Sequence, residues 1–391
     1  MALTLRMVTD QIGLAELQSA WENLSAAGAG DPLFGSHMWN ATWWKHYQSR
    51  GRLQTLIAED DGRVVGVFPL FLAARTFGEV EVDMIGERQM PVPGKGVKVR
   101  VLAYLGSGEI CSDYLQPLLE PGREEEIIDA MLGHLRALPD WDLLDLCDMP
   151  AQCAALPALL AGLEKHFGGY RRRFRYVVPF APLPGSYDDY LDTLSKKGRY
   201  NARKKVRQLQ LNHTVEHIFH DDPATLADTM DRFIALHQER WNADGLPGVF
   251  VNECFVGFHK DLAQTGLARG SLRLGMLRVN EEVVFATYSY RVGDRVYLYQ
   301  QGGSADPRWD RYNLGYVALA FAVAAAADDG MGEFDFLRGD ATYKTHWAKQ
   351  SRELIQLQAA RGPRGRAFML HSKLNTDDQL RTKVKRLLGR G

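Results

Sequence analysis

The chain has 391 residues, 46% of them hydrophobic and 24% charged, with a formal net charge of -1. That length allows two domains with sizeable cores, and the balance is that of an ordinary globular protein. A near-neutral total excludes a global field that would draw the chain to nucleic acid or membrane, so only local clusters of charge carry information.

Four scattered cysteines, Cys111, Cys147, Cys153 and Cys254, form no zinc pattern and read as reduced thiols of a cytoplasmic protein. The first residues contain no apolar stretch of signal-peptide type. The longest apolar runs, 64–74 and 317–327, are too short to span a bilayer, so no stable membrane insertion is expected.

In chain order, Leu14, Leu17, Trp21 and Leu24 share one helical face. Residues 34–47 carry Trp39, Trp43, Trp44 and Tyr47 at mostly helical spacing, read as a core helix or as aromatics lining a pocket. Residues 53–74 read as a hairpin around Asp60-Asp61-Gly62, with Pro69 marking an edge or bulge. A Gly/Pro-rich loop over 86–96, a strand over 99–105 and a strand over 114–119 follow. A strong amphipathic helix spans 123–138, then come a strand over 142–146 and a helix over 156–167.

Pro179, Pro182, Pro184 and Gly185 suggest a domain boundary near 180, just after the run Arg171-Arg172-Arg173-Phe174-Arg175. This gives domains over 1–180 and 181–370, and a basic tail over 371–391. Residues 190–209 then read as a basic helix. Its apolar stripe is Leu191, Leu194, Ala202, Val206 and Leu209, and Arg199, Arg203 and Arg207 repeat every four residues on another face. Three arginines on one face repel one another unless an anion or acidic side chains sit near them.

Helices over 223–239 and 255–267 precede a three-strand meander over 271–279, 283–292 and 295–301. A loop over 302–313 carries Arg308 and Arg311, and an Ala-rich helix covers 314–329. A short strand over 332–337 stops at Arg338-Gly339-Asp340. Past it a turn bears Tyr343, Lys344, His346 and Trp347. Polar and cationic side chains gathered just past a buried strand are a common way for an α/β protein to present a site. The last strand covers 352–360. The halves share an order of hairpin, strand (114–119 or 297–301), loop, helix, and strand with an aspartate-rich ending, which suggests a duplicated α/β domain.

The basic segment 190–209, the strand 297–302, the helix start Asn313-Leu314-Gly315 and the segment 334–347 together resemble tandem GNAT-fold acyltransferases. The likeness is to the CelD-like branch, found in bacterial exopolysaccharide gene clusters and related to the FemABX peptidyltransferases. It is best over 187–358. The fold class it implies is α/β with mixed sheets, in two similar GNAT domains. The activity it implies is acyl transfer from acetyl-CoA or another acyl-CoA to an amine or hydroxyl, such as that of a sugar or lipid-linked acceptor, without a metal. FemABX relatives use aminoacyl-tRNA as donor, which makes tRNA an alternative partner.

By that resemblance the donor's diphosphate meets the loop before Gly315, with Arg308 and Arg311 as cations and Asn313 as helix cap. Only Gly315 of this loop matches the usual GNAT phosphate motif. The thioester carbonyl meets a backbone amide of the splayed strand that carries Tyr299, Gln300 and Gln301. Candidate catalytic groups are Asp340 and His346 as bases, Tyr343 as acid and Lys344 on a phosphate or oxyanion. Asp340 reads equally as a helix cap. Lys196, Arg199, Arg203, Arg338 and Trp347 are candidate acceptor contacts. For the first half the acidic run Glu124-Glu125-Glu126 suggests that donor binding has been lost.

Overall fold

The computed structural model describes residues 3–76, 98–339 and 341–376, the side chains of 372–376 excepted. The expected loop over 86–96, the residue Asp340 and the basic tail beyond 376 lie outside the described residues. In chain order the elements begin with β1 (Thr4–Val8), α1 (Gln11–Glu16), α2 (Gln18–Ala26), α3 (His37–Tyr47), β2 (Gly51–Leu53), β3 (Thr55–Asp60) and β4 (Arg63–Phe68). Then come β5 (Leu70–Thr76), β6 (Lys98–Tyr104), β7 (Leu118–Leu119), α4 (Glu124–Ala137), β8 (Leu143–Pro150), α5 (Ala155–Phe167) and β9 (Arg171–Pro182). The rest are α6 (Tyr187–Thr193), α7 (Lys196–Gln210), β10 (Val215–Phe219), α8 (Leu226–Ala243), α9 (Glu253–Ala268), β11 (Leu272–Val279), β12 (Glu282–Val292), β13 (Arg295–Gly303), α10 (Leu314–Asp328), β14 (Glu333–Asp335), α11 (Thr342–Trp347), β15 (Gln350–Ala360) and α12 (Pro363–Thr376).

The chain forms two compact units: residues 1–175 with 353–391, and residues 176–352. The cut expected near 180 therefore falls inside β9, and the C-terminal stretch from Glu353 belongs with the first unit. Composition misled here because Pro179 and Pro182 stand within a strand.

In the first unit β1, β3, β4 and β7 form one sheet, and β15, β8, β6, β5 and β2 follow one another in a second. The Asp61-Gly62 turn takes left-handed conformations (φ 48° and 77°), the backbone that joins β3 to β4 with the strands' own twist. Pro69 sits where the chain leaves β4 for β5, and so changes sheet. Proline lacks the N–H that a continuous strand would need there. The helix α3 buries Trp39, Trp43, Trp44 and Tyr47, so these aromatics are core.

A buried polar knot lies deeper in this unit. The Asp145 carboxylate accepts from Arg75, from Gln356 Nε2 at 2.5 Å and from Gln358 Nε2 at 3.1 Å. Such a group is tolerated only because its oxygens are paired.

In the second unit the strand order is β10, β11, β12, β13, β14 and the Phe180–Pro182 end of β9. One core joins α6, α7, α10 and Trp347 through Tyr190, Leu194, Ala202, Leu319, Val323 and Phe334. The opposite face packs His237 of α8 and His259 of α9 among Phe233, Phe250, Phe255 and Tyr288. Burial drives α10: its Ala-rich sequence is enclosed nearly all round.

The internal repeat is present with a corrected partner. β6 precedes α4 and pairs parallel with β8, as β13 precedes α10 and pairs parallel with β14. The counterpart of β13 is thus β6 and not the segment 114–119. There only Leu118 and Leu119 are strand, and they pair with β4.

Candidate functional site

The parallel ladder between β13 and β14 is short. It runs from Arg295–Glu333 to Tyr297–Asp335, where β14 ends while β13 continues to Gly303. Past that point the chain turns sharply, with Leu337 at φ 55° and Gly339 at φ 113°. Glycine tolerates the second value, whereas a leucine in the left-handed region is strained and has to be held. Two groups hold it. The Asp335 carboxylate accepts the Leu337 amide at 2.8 Å, and buried Lys344 of α11 donates to the carbonyl of Leu337 at 2.9 Å and to that of Arg338.

On its other side β13 carries a bulge. Ser289 faces Leu298 and Tyr288 faces Gln300, so Tyr299 is an extra residue. A bulge shifts the alternation of side chains by one. Leu298 packs on the α10 core. Gln300, opposite Tyr288, turns to His237 of α8. Gln301 thereby reaches the hydroxyl of Tyr343.

Tyr343 is half-buried, and burial pushes its hydroxyl up to about 12, against smaller opposing contributions from Arg240 and Gln301. It is a neutral donor at ordinary pH. The Gln301 Oε1 atom is buried and has no hydrogen-bond partner in the protein. An orphaned acceptor beside a strand edge suits a ligand N–H.

The start of α10 is less open than the sequence suggests. Residues Pro307–Tyr312 wind into a 3-10 turn. Arg308 pairs with Glu282 and with Asp306 (2.8 Å) and lies over the Trp309 ring at 4.8 Å. Arg311 lies over Tyr312 at 4.7 Å and donates to its hydroxyl at 2.8 Å. Asn313 stands at the cap position in a left-handed conformation (φ 54°), and its side chain makes no capping bond. The expectation of an Asn313 side-chain cap is therefore corrected: that backbone aims the side chain away from the first turn. Gly315 has little room, since a Cβ there would sit 3.2 Å from Phe285 Cζ.

The basic helix α7 explains its own charge. Ser195 caps it, accepting the Gly198 amide at 3.1 Å. Arg199 pairs with Asp192, and Arg203 with Asp188 at 2.8 Å, both acids standing on α6. Lys196 is exposed.

Of the remaining candidates, His346 is exposed, its ring 6.4 Å from that of Tyr316. Arg338 is buried with its guanidinium over Tyr176 at 4.8 Å. Trp347 is wholly buried against Tyr316, and its carbonyl accepts from Tyr190 at 2.6 Å. An acceptor contact for the Trp347 ring is corrected accordingly: core packing has taken the surface that it would have used.

His237 escaped the sequence reading, because a lone histidine on an apolar helix gives no signal. Burial lowers it to about 4, so it is neutral, and its Nδ1 meets Gln238 Oε1 at 3.3 Å.

In the first unit a cavity of about 500 Å³ opens at the start of α4, where Glu125, Glu126 and Asp129 face Arg123 and Lys165. Both cations are engaged: Arg123 with Asp60, Glu120 and Glu126, and Lys165 with Asp129. Among the described residues no group of three or more His, Cys, Asp or Glu side chains could hold a metal ion, and no helix is long and apolar enough to cross a membrane.

Residues 196–345 match the family model described as an acetyltransferase (GNAT) domain. The match lies inside the second unit. The solved structure of FemX shares the fold over 94% of this chain and 99% of its own, with a TM-score of 0.58 at 11% identity. A conserved protein of unknown function from Bacteroides thetaiotaomicron VPI-5482 covers 90% and 100% at 0.54 and 12%. L-PGS from Bacillus licheniformis covers 91% and 96% at 0.52 and 12%. Likeness at such identity speaks of fold. No curated protein matches the sequence. The mixed α/β architecture of tandem GNAT type expected from the sequence is the one observed.

Proposed function

We propose that the chain transfers an acyl group from an acyl-CoA to an amine or hydroxyl acceptor, with the reaction at the parted ends of β13 and β14. The observation that carries this reading is the bulge at Tyr299, past the last β13–β14 pair, which brings Gln301 to the Tyr343 hydroxyl. A backbone amide of 298–301 would donate to the thioester carbonyl as negative charge develops on its oxygen. Gln301 Oε1 would accept an amide N–H of the donor's arm. Tyr343 would hand its proton to the departing thiolate as the acceptor's nitrogen or oxygen forms the new bond to the acyl carbon. The acceptor's own proton leaves to a base, for which Asp340 and His346 are the candidates. Lys344 acts by holding the turn that brings Tyr343 into place. The first unit, whose corresponding helix start is lined with carboxylates, is proposed to hold no donor.

We propose an amino or hydroxyl group of a sugar bound for extracellular polysaccharide as acceptor, following the resemblance drawn from the sequence. Thiol release from acetyl-CoA in the presence of amino sugars tests the reading. Acceptor-dependent release, reduced ~10²–10⁴-fold in Tyr343→Phe, supports it.

A second reading, transfer from aminoacyl-tRNA, is favoured by two observations: Arg308 and Arg311 are already engaged, and α7 carries seven cations and no acid. Transfer from charged tRNA without thiol release from any acyl-CoA would establish it, and neither activity would point to a binding protein.

A further inference from the structure

The cations of α7 divide into two sets. Arg199 and Arg203 are neutralised by Asp192 and Asp188, and Lys205 lies over the Tyr316 ring at 5.6 Å. The others are Lys196, Lys197, Lys204 and Arg207, for which the structure shows no ion pair among the described residues; Lys204 lies over the exposed Tyr200 ring at 5.4 Å. The buried side of the helix is marked by Ala202 and Leu209. At 100° per residue, those four cations fall on the arc opposite, within about 100° of one another. Two further residues share that arc. Tyr200 is 60% exposed and Leu211, just past the helix end, is 71% exposed. The solvent face of α7 thus has cations around two exposed apolar side chains, and no carboxylate anywhere on the helix.

A solvated face needs no exposed leucine, and a surface for a polyanion alone gains nothing from one. A helix that rests on a lipid surface uses both kinds of residue. Its lysines meet phosphate headgroups, and its tyrosine and leucine enter the headgroup boundary. We propose that this face of α7 docks the second unit on a bilayer rich in anionic lipid. The arc is complementary in charge to such a surface. The two arginines that would widen it are paired on its flank, which confines the attraction to one face. The inference is independent of which donor the chain uses.

The test is co-sedimentation of the full chain with vesicles of phosphatidylcholine alone and of phosphatidylcholine mixed with phosphatidylglycerol. The variants are Lys197→Gln, Lys204→Gln, Tyr200→Ser and Leu211→Ser, all at exposed positions, with unchanged thermal melting as the control for folding. The expected result is binding to the anionic vesicles alone, weakened roughly fivefold for each cation removed. Added salt should weaken it too, and Leu211→Ser should reduce it at every salt concentration. Absence of binding to anionic vesicles would overturn the proposal. So would vesicle binding that Leu211→Ser and Tyr200→Ser leave intact while RNA competes it away, because the face would then be a polyanion surface of the nucleic-acid kind.

Discussion

Replacing Lys344 with methionine separates two roles that the sequence left together. Methionine nearly matches the length of the lysine stem and fills the same buried space, but it donates nothing. In the structure the ammonium of Lys344 serves the carbonyls of Leu337 and Arg338. Lysine is 7% exposed at this position, so water does not readily replace it. Each buried acceptor left without a donor costs about 1–3 kcal/mol. Two of them give roughly 2–6 kcal/mol, less whatever the turn recovers by relaxing. The strained Leu337 backbone, at φ 55°, makes relaxation the easy response, and Tyr343 on the next turn would move with it. Urea unfolding measures the cost through the midpoint at constant slope. The account predicts a loss of at least ~2 kcal/mol together with lost transfer. Unchanged stability with abolished transfer would refute it, because the ammonium would then act on substrate rather than on the turn.

Three other consequences can be checked. A Cβ at Gly302 would come within 2.7 Å of His237 Cα on α8, a backbone atom that cannot swing aside, so Gly302→Ala should cost about 1–3 kcal/mol or more in the same urea assay. Burial lowers His217 and His237 from 6.5 to about 4. A lowered histidine stabilises the fold above pH 6.5, and that stability is lost as pH falls through 4. At 1.36 kcal/mol per unit this is roughly 3 kcal/mol for each histidine, and stability that stays flat between those limits would contradict it. Arg203→Ala breaks an exposed pair, so its melting temperature should reflect a change within ~1 kcal/mol, and a larger loss would mean that the Arg203–Asp188 contact does more than balance charge.

Much of the architecture was legible because period and punctuation agree over long stretches. The meander β11–β13, the helices α4 and α10, and the hairpin around Asp61-Gly62 announce themselves by apolar spacing and turn residues. Failures came where tertiary context overrode local signals. The Pro/Gly cluster near 180 reads as a linker, yet Phe180–Pro182 pairs with β14. Strand β10, which mixes Val215, Ile218 and Phe219 with Glu216 and His217, lacks a clear alternation and gains its strand state from pairing with β11. The α6–α7 break at Leu194-Ser195 was missed, since 190–209 reads as one basic helix, whereas the structure starts α7 at a Ser195 cap.

In the candidate site, the strand, Tyr343 and Lys344 could be found because they cluster in sequence. The bulge at Tyr299 and the contribution of His237 could not, since both arise from pairing and packing across distant elements. The arginine ladder of α7 illustrates the limit well. Its spacing shows the repulsion, but only the fold shows that Asp188 and Asp192 relieve it.

The central claim is that an acyl donor binds where β13 parts from β14, with Gln301 as one of its partners. Calorimetric titration of acetyl-CoA into the chain and into a Gln301→Leu variant, which removes the acceptor, tests this most directly. The account predicts micromolar binding to the chain, weakened by about tenfold or more in the variant, equivalent to ~1.4 kcal/mol. Titrations without heat for acetyl-CoA and for longer acyl-CoAs, or binding that the variant retains in full, would contradict it.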